Sequence, residues 1–251
     1  MRIFLLANNW VGLEIARYLK SKRENIIALG VHEIEKQKYT KEIINTVKTE
    51  NIFSAGQFKL KKTLTKIKNL DPDIIIAAFW GYILKPELIN LTKIGCINFH
   101  PGFLPYNRGM NPNVWPFIES TPAGVSLHFI DKGIDTGDII AQKKIEIEPV
   151  DTAGSLEKKT WNSLLILFKK TWPKIKNNSV RRIAQSNSYA TYHLAKQVDE
   201  LDFIDFNKKY LAKDLIQKLK ARSYPNHSFA YYLDQGKKIY INIKLSYTKD
   251  F

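Results

Sequence analysis

The sequence has one cysteine, Cys96, in 251 residues, so no internal disulfide can form. Set in an apolar run, that cysteine reads as a core residue. The turn after the first apolar run, Asn8-Asn9-Trp10-Val11-Gly12, lacks the Gly-x-Gly-x-x-Gly fingerprint, and no Walker A loop occurs. A nicotinamide dehydrogenase and a P-loop enzyme are both disfavoured. The five histidines and the lone cysteine show no close ligand spacing, and no metal site is expected. No window approaches the ~18 apolar residues of a membrane span. The N-terminal apolar stretch is too short for a signal peptide and has no small-residue cleavage site. A cytoplasmic protein without membrane partners is the expectation. Acidic residues are also scarce: 24 Asp and Glu against 39 Lys and Arg leave a formal charge of +15. Such a field attracts anions. The excess is nearly all lysine and is scattered along the chain, whereas nucleic-acid readers rely on arginine as well. The charge reads as a solvated surface, and no nucleic-acid partner is expected.

Apolar side chains, by contrast, are plentiful: 44% of residues are hydrophobic and 12% aromatic. That suffices for one full core plus a small appendage and excludes disorder. Residues 3–7 and 26–31 are unbroken apolar runs, the pattern of buried parallel strands. Between them Val11, Ile15, Tyr18 and Leu19 fall near one helical face. Helices are predicted over about 38–49 and 59–70, a central strand over 74–79, a short helix over 86–91 and a strand over 95–99. This rhythm gives an α/β, Rossmann-like open sheet, mostly parallel. An irregular stretch over 101–112 follows, and loops this long inside a domain are usually functional. Strands over 123–130 and 139–147 flank the turn Asp131-Lys132-Gly133-Ile134-Asp135-Thr136-Gly137. A helix is predicted over 152–175, broken at Pro173. Beyond residue 177 the chain turns polar, with a helix near 211–221 and a β-hairpin built from 229–233 and 239–245. The expected division is a main domain over 1–177 and a C-terminal extension over 178–251.

Asn98 and His100 stand two apart at the end of a short strand, so both side chains point to the same side. The strand closes at Pro101-Gly102, and ligands of open parallel sheets bind outside the carboxyl ends of the strands. The loop beyond carries Tyr106, Asn107, Arg108, Asn111 and Asn113, and arginine with asparagine suits phosphate and sugar hydroxyls. Asp135, in a turn between apolar strands, is placed to orient an imidazole. His128 faces opposite to Leu127 and Phe129 and reads as a structural histidine near the site. His32, His193 and His227 have no partner that the sequence identifies.

Together, Asn98-Phe99-His100-Pro101-Gly102-Phe103-Leu104-Pro105, Gly124-Val125-Ser126-Leu127-His128 and Asp135-Thr136-Gly137 resemble the folate-dependent formyltransferase family. The resemblance covers residues 1–175 and continues more weakly to the end. It maps the family's Asn, His and Asp triad onto Asn98, His100 and Asp135, and makes 1–177 the catalytic domain. Tyr106-Asn107-Arg108-Gly109-Met110-Asn111-Pro112-Asn113-Val114-Trp115 and the start Asn8-Asn9-Trp10 look like the sugar N-formyltransferases, which act on nucleotide-linked 3-amino or 4-amino deoxysugars. Ala221-Arg222-Ser223-Tyr224-Pro225 resembles the segment that opens the C-terminal region of the sugar and transfer-RNA enzymes.

The resemblance implies 10-formyltetrahydrofolate as formyl donor and a nucleotide-linked amino-deoxysugar as acceptor, with a thymidine diphosphate carrier favoured and surface polysaccharide such as O-antigen as the product's use. The folate is expected against Phe79, Trp80, Gly81, Tyr82, Ile83 and Ile134; the substrate against Asn9, Trp10, Arg108, Asn111, Asn113 and Tyr224. Core packing at a strand end competes with the folate reading for Trp80 and Tyr82. Asn98 would donate to a developing oxyanion, His100 would share that task or take a proton from the amine, and Asp135 would orient His100 and raise its pKa. A homodimer through the terminal hairpin is implied. The rivals are a methionyl-transfer-RNA formyltransferase, a formyltetrahydrofolate hydrolase and a non-catalytic nucleotide-binding module. The first is disfavoured because the chain closes after one hairpin, the second because the hydrolases carry an extra N-terminal domain.

Overall fold

The computed structural model describes residues 1–248. The chain divides into two compact units that alternate along the sequence. Unit one comprises Met1–His100, Ser126–Gln142 and Leu164–Gln185; unit two comprises Pro101–Val125, Lys143–Ser163 and the chain from Ser186 on.

In chain order the first hundred residues form β1 (Arg2–Ala7), α1 (Asn9–Ser21), β2 (Asn25–Val31), α2 (Thr40–Val47), β3 (Ile52–Ser54), α3 (Lys61–Asn69), β4 (Ile74–Ala78), α4 (Pro86–Ile89) and β5 (Gly95–His100). The middle of the chain adds β6 (Arg108–Gly109), α5 (Trp115–Glu119), β7 (Gly124–Phe129), β8 (Ile139–Lys144) and α6 (Ala153–Lys176). The remainder holds β9 (Tyr192–His193), α7 (Ala195–Asp199), α8 (Ala212–Arg222), β10 (Ser223–Tyr224), β11 (His227–Ser228), β12 (Tyr231–Asp234) and β13 (Lys237–Tyr240).

Seven strands form one sheet in the order β3-β2-β1-β4-β5-β7-β8. The pairs β1–β2, β1–β4, β2–β3 and β4–β5 are parallel, and β7 runs antiparallel to β5. The sheet is therefore mixed but mostly parallel. The apolar runs of β1 and β4 are buried throughout from Ile3 to Ala7 and from Ile74 to Ala78, as expected of strands covered on both faces. Chain order reverses between β1 and β4, the point where α/β sheets open a crevice beyond their strand ends.

Two expectations need correction, and one strand was not anticipated. The strand β3 carries no strong signal, because it is three residues long and lies at the sheet edge. Pro173 does not break α6, which continues to Lys176. Proline at 173 leaves the carbonyl of Lys169 without its helical donor, and the Tyr18 hydroxyl donates to that carbonyl at 3.3 Å. The second arm of the terminal hairpin ends at Tyr240 rather than at 245. Beyond it the Ile241 N–H donates to the Ala230 carbonyl at 2.8 Å and the Ile243 N–H to Ser223 Oγ at 3.1 Å, so the backbone leaves the ladder for other partners. The hairpin turn itself has φ +47° at Gln235 and +77° at Gly236, which is the two-residue type I′ turn that matches strand twist.

Candidate active site

The antiparallel register of β5 and β7 builds the site. Asn98 pairs with His128 and His100 with Ser126, and directly opposed residues share a face. One side of two neighbouring strands thus presents an amide, two imidazoles and a hydroxyl. The loop after β7 brings Asp135 to them. Asp135 Oδ2 lies 3.5 Å from His100 Nδ1, and Oδ1 lies 3.4 Å from His128 Nε2 and 3.3 Å from Asn98 Nδ2. These are long contacts, of the kind that tighten when a reactant is bound. Both histidine side chains are almost fully buried, at 4% and 2% exposure, and the carboxylate is 13% exposed.

Donor and acceptor roles follow from the partners. His128 Nδ1 sits 2.7 Å from the Phe129 carbonyl, which only accepts, so Nδ1 carries a proton. The Asp135 carboxylate also only accepts, which fixes Nδ2 of Asn98 towards it. The same Nδ2 is 3.2 Å from His128 Nε2. With His128 neutral, both Nδ2 hydrogens of Asn98 are engaged, one by Asp135 and one by His128.

The loop that delivers Asp135 is held by local and distant bonds. Asp131 Oδ1 accepts from the Gly133 N–H at 3.0 Å and from the Thr136 hydroxyl at 2.6 Å. Asp135 itself has φ +55°, a conformation that costs a non-glycine residue about 1 kcal/mol or more. At Gly137 a Cβ would stand 2.0 Å from the Phe129 carbonyl oxygen, so only glycine allows the loop to close against β7. Gln185 Nε2 donates to the carbonyls of Asp135 at 2.9 Å and Gly137 at 2.7 Å.

Other sequence-nominated residues of unit one lie at strand ends. Phe79, directly after β4, has φ +57°, strained for an aromatic residue. Trp80 is 9% exposed and belongs to the core cluster that includes Phe4, Ala28 and Ile75, so core packing describes most of its ring. Its Nε1 is buried without a hydrogen-bond partner. His32 stands edge-on to both rings, 5.0 Å from Trp80 and 4.9 Å from Tyr82 between centroids. Burial lowers its pKa first, with the Lys36 charge adding to that and backbone hydrogen bonds opposing it. The Gly81 N–H lies 3.2 Å from His32 Nε2. Ile83 and Ile134 are exposed. Asn9, at φ +56°, accepts the Val11 N–H at 2.8 Å and the Gly12 N–H at 3.4 Å through Oδ1, and so caps α1. Trp10 is half-buried in the first turn of α1. Cys96 is buried core, its thiol pushed up to about 12 by burial.

Unit two holds the others. Arg108 is buried on β6, with Nη1 donating to Asn187 Oδ1 at 2.9 Å. Asn111 has φ +53°, and its carbonyl accepts the Val114 N–H at 2.9 Å. Asn113 and Tyr224 are brought together: Asn113 Nδ2 donates to the Tyr224 hydroxyl and to the Ala153 carbonyl, each at 3.2 Å. Burial raises the Tyr224 pKa, while the Asn113 bond opposes it. His193 stacks flat on Trp115 at 3.7 Å, and His227 on Tyr224 at 5.0 Å.

Sequence reasoning placed His128 near the site without its contacts, and it missed Gln185. His128 is in direct contact with Asn98 and Asp135; antiparallel pairing of β5 with β7 would have revealed it, but the rhythm of apolar runs does not report strand direction. Gln185 lies in a polar stretch fifty residues after Asp135, and nothing local distinguishes it.

An amide, an imidazole and a carboxylate on one side of a strand end are groups able to support an oxyanion and to move a proton at a carbonyl centre. A family model described as formyl transferase matches residues 28–164, and one described as N-formyltransferase dimerization C-terminal domain matches 197–247. The chain belongs to the formyl transferase family. A methionyl-tRNA formyltransferase from Alkaliphilus oremlandii is 32% identical over 155 residues, covering 61% of this chain and 50% of that one. The chain thus spans about half the length of such curated relatives. The crystal structure of a 4-N formyltransferase from Francisella tularensis is 26% identical, covers 98% of each chain and superposes with a TM-score of 0.85. The formyltransferase PseJ from Anoxybacillus kamchatkensis, in complex with UDP-4,6-dideoxy-4-formamido-L-AltNAc and tetrahydrofolate, is 26% identical, covers 88% of this chain and 98% of that chain, and has a TM-score of 0.60. Among the described residues, no helix is long and apolar enough to cross a membrane, and no group of three His, Cys, Asp or Glu could hold a metal ion.

Proposed function

We propose that the protein transfers a formyl group from 10-formyltetrahydrofolate to the amine of a nucleotide-linked amino-deoxysugar, a dTDP-4-amino-4,6-dideoxyhexose in the favoured case. The observation that carries the reading is the C-terminal segment. Residues 197–247 match the N-formyltransferase dimerization domain, and the likeness to the Francisella 4-N formyltransferase runs through 98% of the chain. Residues 1–177 act as the catalytic part and 178–251 as the extension. The extension pairs two copies through the hairpin, whose Leu233, Ile239 and Tyr240 are exposed. The protein works in the cytoplasm, supplying a formylated sugar for surface polysaccharide.

The folate fits what stands beyond β4: Trp80 Nε1 is a buried donor without an acceptor, beside the rings of His32 and Tyr82. When bound, 10-formyltetrahydrofolate supplies the formyl group. Phe79, Gly81, Ile83 and Ile134 complete its contacts. Asn9, Trp10, Arg108, Asn111, Asn113 and Tyr224 serve the acceptor.

Asn98 Nδ2 donates to the oxyanion that develops as the amine adds to the formyl carbon. It exchanges its contact with His128 for that oxygen. His100 accepts the proton that the attacking amine sheds, and Asp135 holds the imidazole in position and offsets its charge; the adduct then collapses by breaking the bond from the formyl carbon to N10, and that nitrogen takes the proton as tetrahydrofolate leaves.

The second reading, formylation of methionyl-tRNA, is favoured by the curated relatives, and a charge of +15 suits RNA. Incubation with formyl donor and a panel of nucleotide-linked amino sugars, alongside charged initiator tRNA, separates the two. A one-formyl mass gain on a sugar supports the first reading; formylation of tRNA alone supports the second.

A further inference from the structure

We infer that Gln185 is a positioning residue for Asp135. Three successive attachments fasten the segment around it to the strands that bear the site. The Arg182 guanidinium lies 3.8 Å from the centroid of the Phe129 ring and donates to the Ile94 carbonyl at 2.8 Å. Ile183 exchanges both backbone hydrogen bonds with Ile139, at 2.8 and 3.0 Å. Gln185 then places both hydrogens of its amide on the carbonyls of Asp135 and Gly137. Both partners only accept, so the amide orientation is fixed.

The first carbonyl belongs to the residue whose backbone is held at φ +55° and the second lies two residues further on, so the amide holds the chain where it leaves Asp135. A left-handed aspartate persists only when its surroundings over-determine it. The Asp131 bonds to Gly133 and Thr136 hold the near side of the turn, and Gln185 holds the far side. Without the Gln185 amide, two partly buried carbonyls lose their donor and Asp135 is free to relax to a right-handed or extended conformation. The carboxylate would then leave the reach of His100 Nδ1 and His128 Nε2. A displacement of about 1 Å in a catalytic group costs turnover up to about a hundredfold.

The inference rests on the proposed role of Asp135, and its test has an arm that does not need turnover. Gln185→Ala and the isosteric Gln185→Met, which lacks donors, are compared with wild type and with Asp135→Asn. We expect kcat to fall about tenfold in both Gln185 variants, with KM for donor and acceptor within twofold and the melting temperature lowered by only a few degrees. In an Asp135→Asn background, Gln185→Met should lower kcat no further. Nitrogen NMR should show the His100 ring signals of Gln185→Met shifted towards those of Asp135→Asn. Wild-type kcat in Gln185→Met, a loss that multiplies with Asp135→Asn, or unmoved His100 signals would each overturn the inference. If no acceptor is turned over by the wild-type protein, the formyl-transfer reading fails while the NMR comparison still decides the role of Gln185.

Discussion

Two polar neighbourhoods of this chain contrast in what their side chains do. Around Asp135, groups far apart in sequence meet on one face: Asn98, His100 and His128 contact one carboxylate, over distances of 3.3 to 3.5 Å. Those contacts are long and leave room to rearrange. In the loop from Asn107 to Asn113 the polar groups are tied closely to unit two itself. Asn107 bonds to Thr121 and Thr191, Arg108 to Asn187, and Asn113 to Tyr224 and the Ala153 carbonyl. The lesson is that density of polar residues does not separate a reacting site from a scaffold, whereas loose convergence on one charge does.

The largest effects should come from the loose cluster. Asn98→Ala should lower kcat by about 10²–10³-fold, the usual loss of an oxyanion donor, and His100→Ala by more, with circular dichroism and melting temperature retained. Near-normal turnover in His100→Ala would remove the cluster from the chemistry and erase the contrast.

Asp151 tests the contrast between two carboxylates. Unlike Asp135, it is fully spent on structure, taking 2.6 Å from Lys159 Nζ, and 2.7 Å each from Ser155 Oγ and the Glu148 N–H. Burial alone would raise its pKa, but these bonds outweigh it and the net shift is downward. A depressed pKa contributes stability that is present above the unfolded value of about 3.9 and lost as pH falls through the folded one. Asp151→Asn should therefore lower stability by about 2 kcal/mol at pH 7 and by little at strongly acid pH, read by denaturant melts, with kcat unaltered at neutral pH.

Asn113→Ala is the sharper test of the tight loop. It should cost about 1–2 kcal/mol of stability by removing the donor to the Tyr224 hydroxyl and a second donor to the Ala153 carbonyl. If KM for the acceptor also rises more than tenfold, Asn113 holds the acceptor as well as the loop; an unchanged KM would leave it a role in the scaffold alone. The smallest effect belongs to Tyr18→Phe, about 1 kcal/mol in a thermal melt, because it deprives the Lys169 carbonyl of the donor that replaces the missing N–H of Pro173.

The sequence made the parallel core legible because buried strands such as 3–7 and 74–78 announce themselves as unbroken apolar runs. Asn98 and His100 were legible as a pair for the same reason: spacing of two on a strand fixes their common side. Asp135 came from the family motif, since an aspartate in a glycine-containing turn has bland local explanations. What the sequence could not show depends on pairing between distant segments. The antiparallel register that sets His128 against Asn98 is one case. The reach of Gln185 back to Asp135 is another. The hydroxyl of Tyr18, which keeps α6 whole at Pro173, is a third.

The most direct measurement is mass spectrometry of dTDP- and UDP-linked 3-amino and 4-amino deoxysugars after incubation with 10-formyltetrahydrofolate and either wild-type protein or His100→Ala. The account predicts a one-formyl gain on at least one sugar with wild type, and its loss in the variant. Equal gain with both proteins, or no gain on any sugar while initiator methionyl-tRNA is formylated, would contradict it.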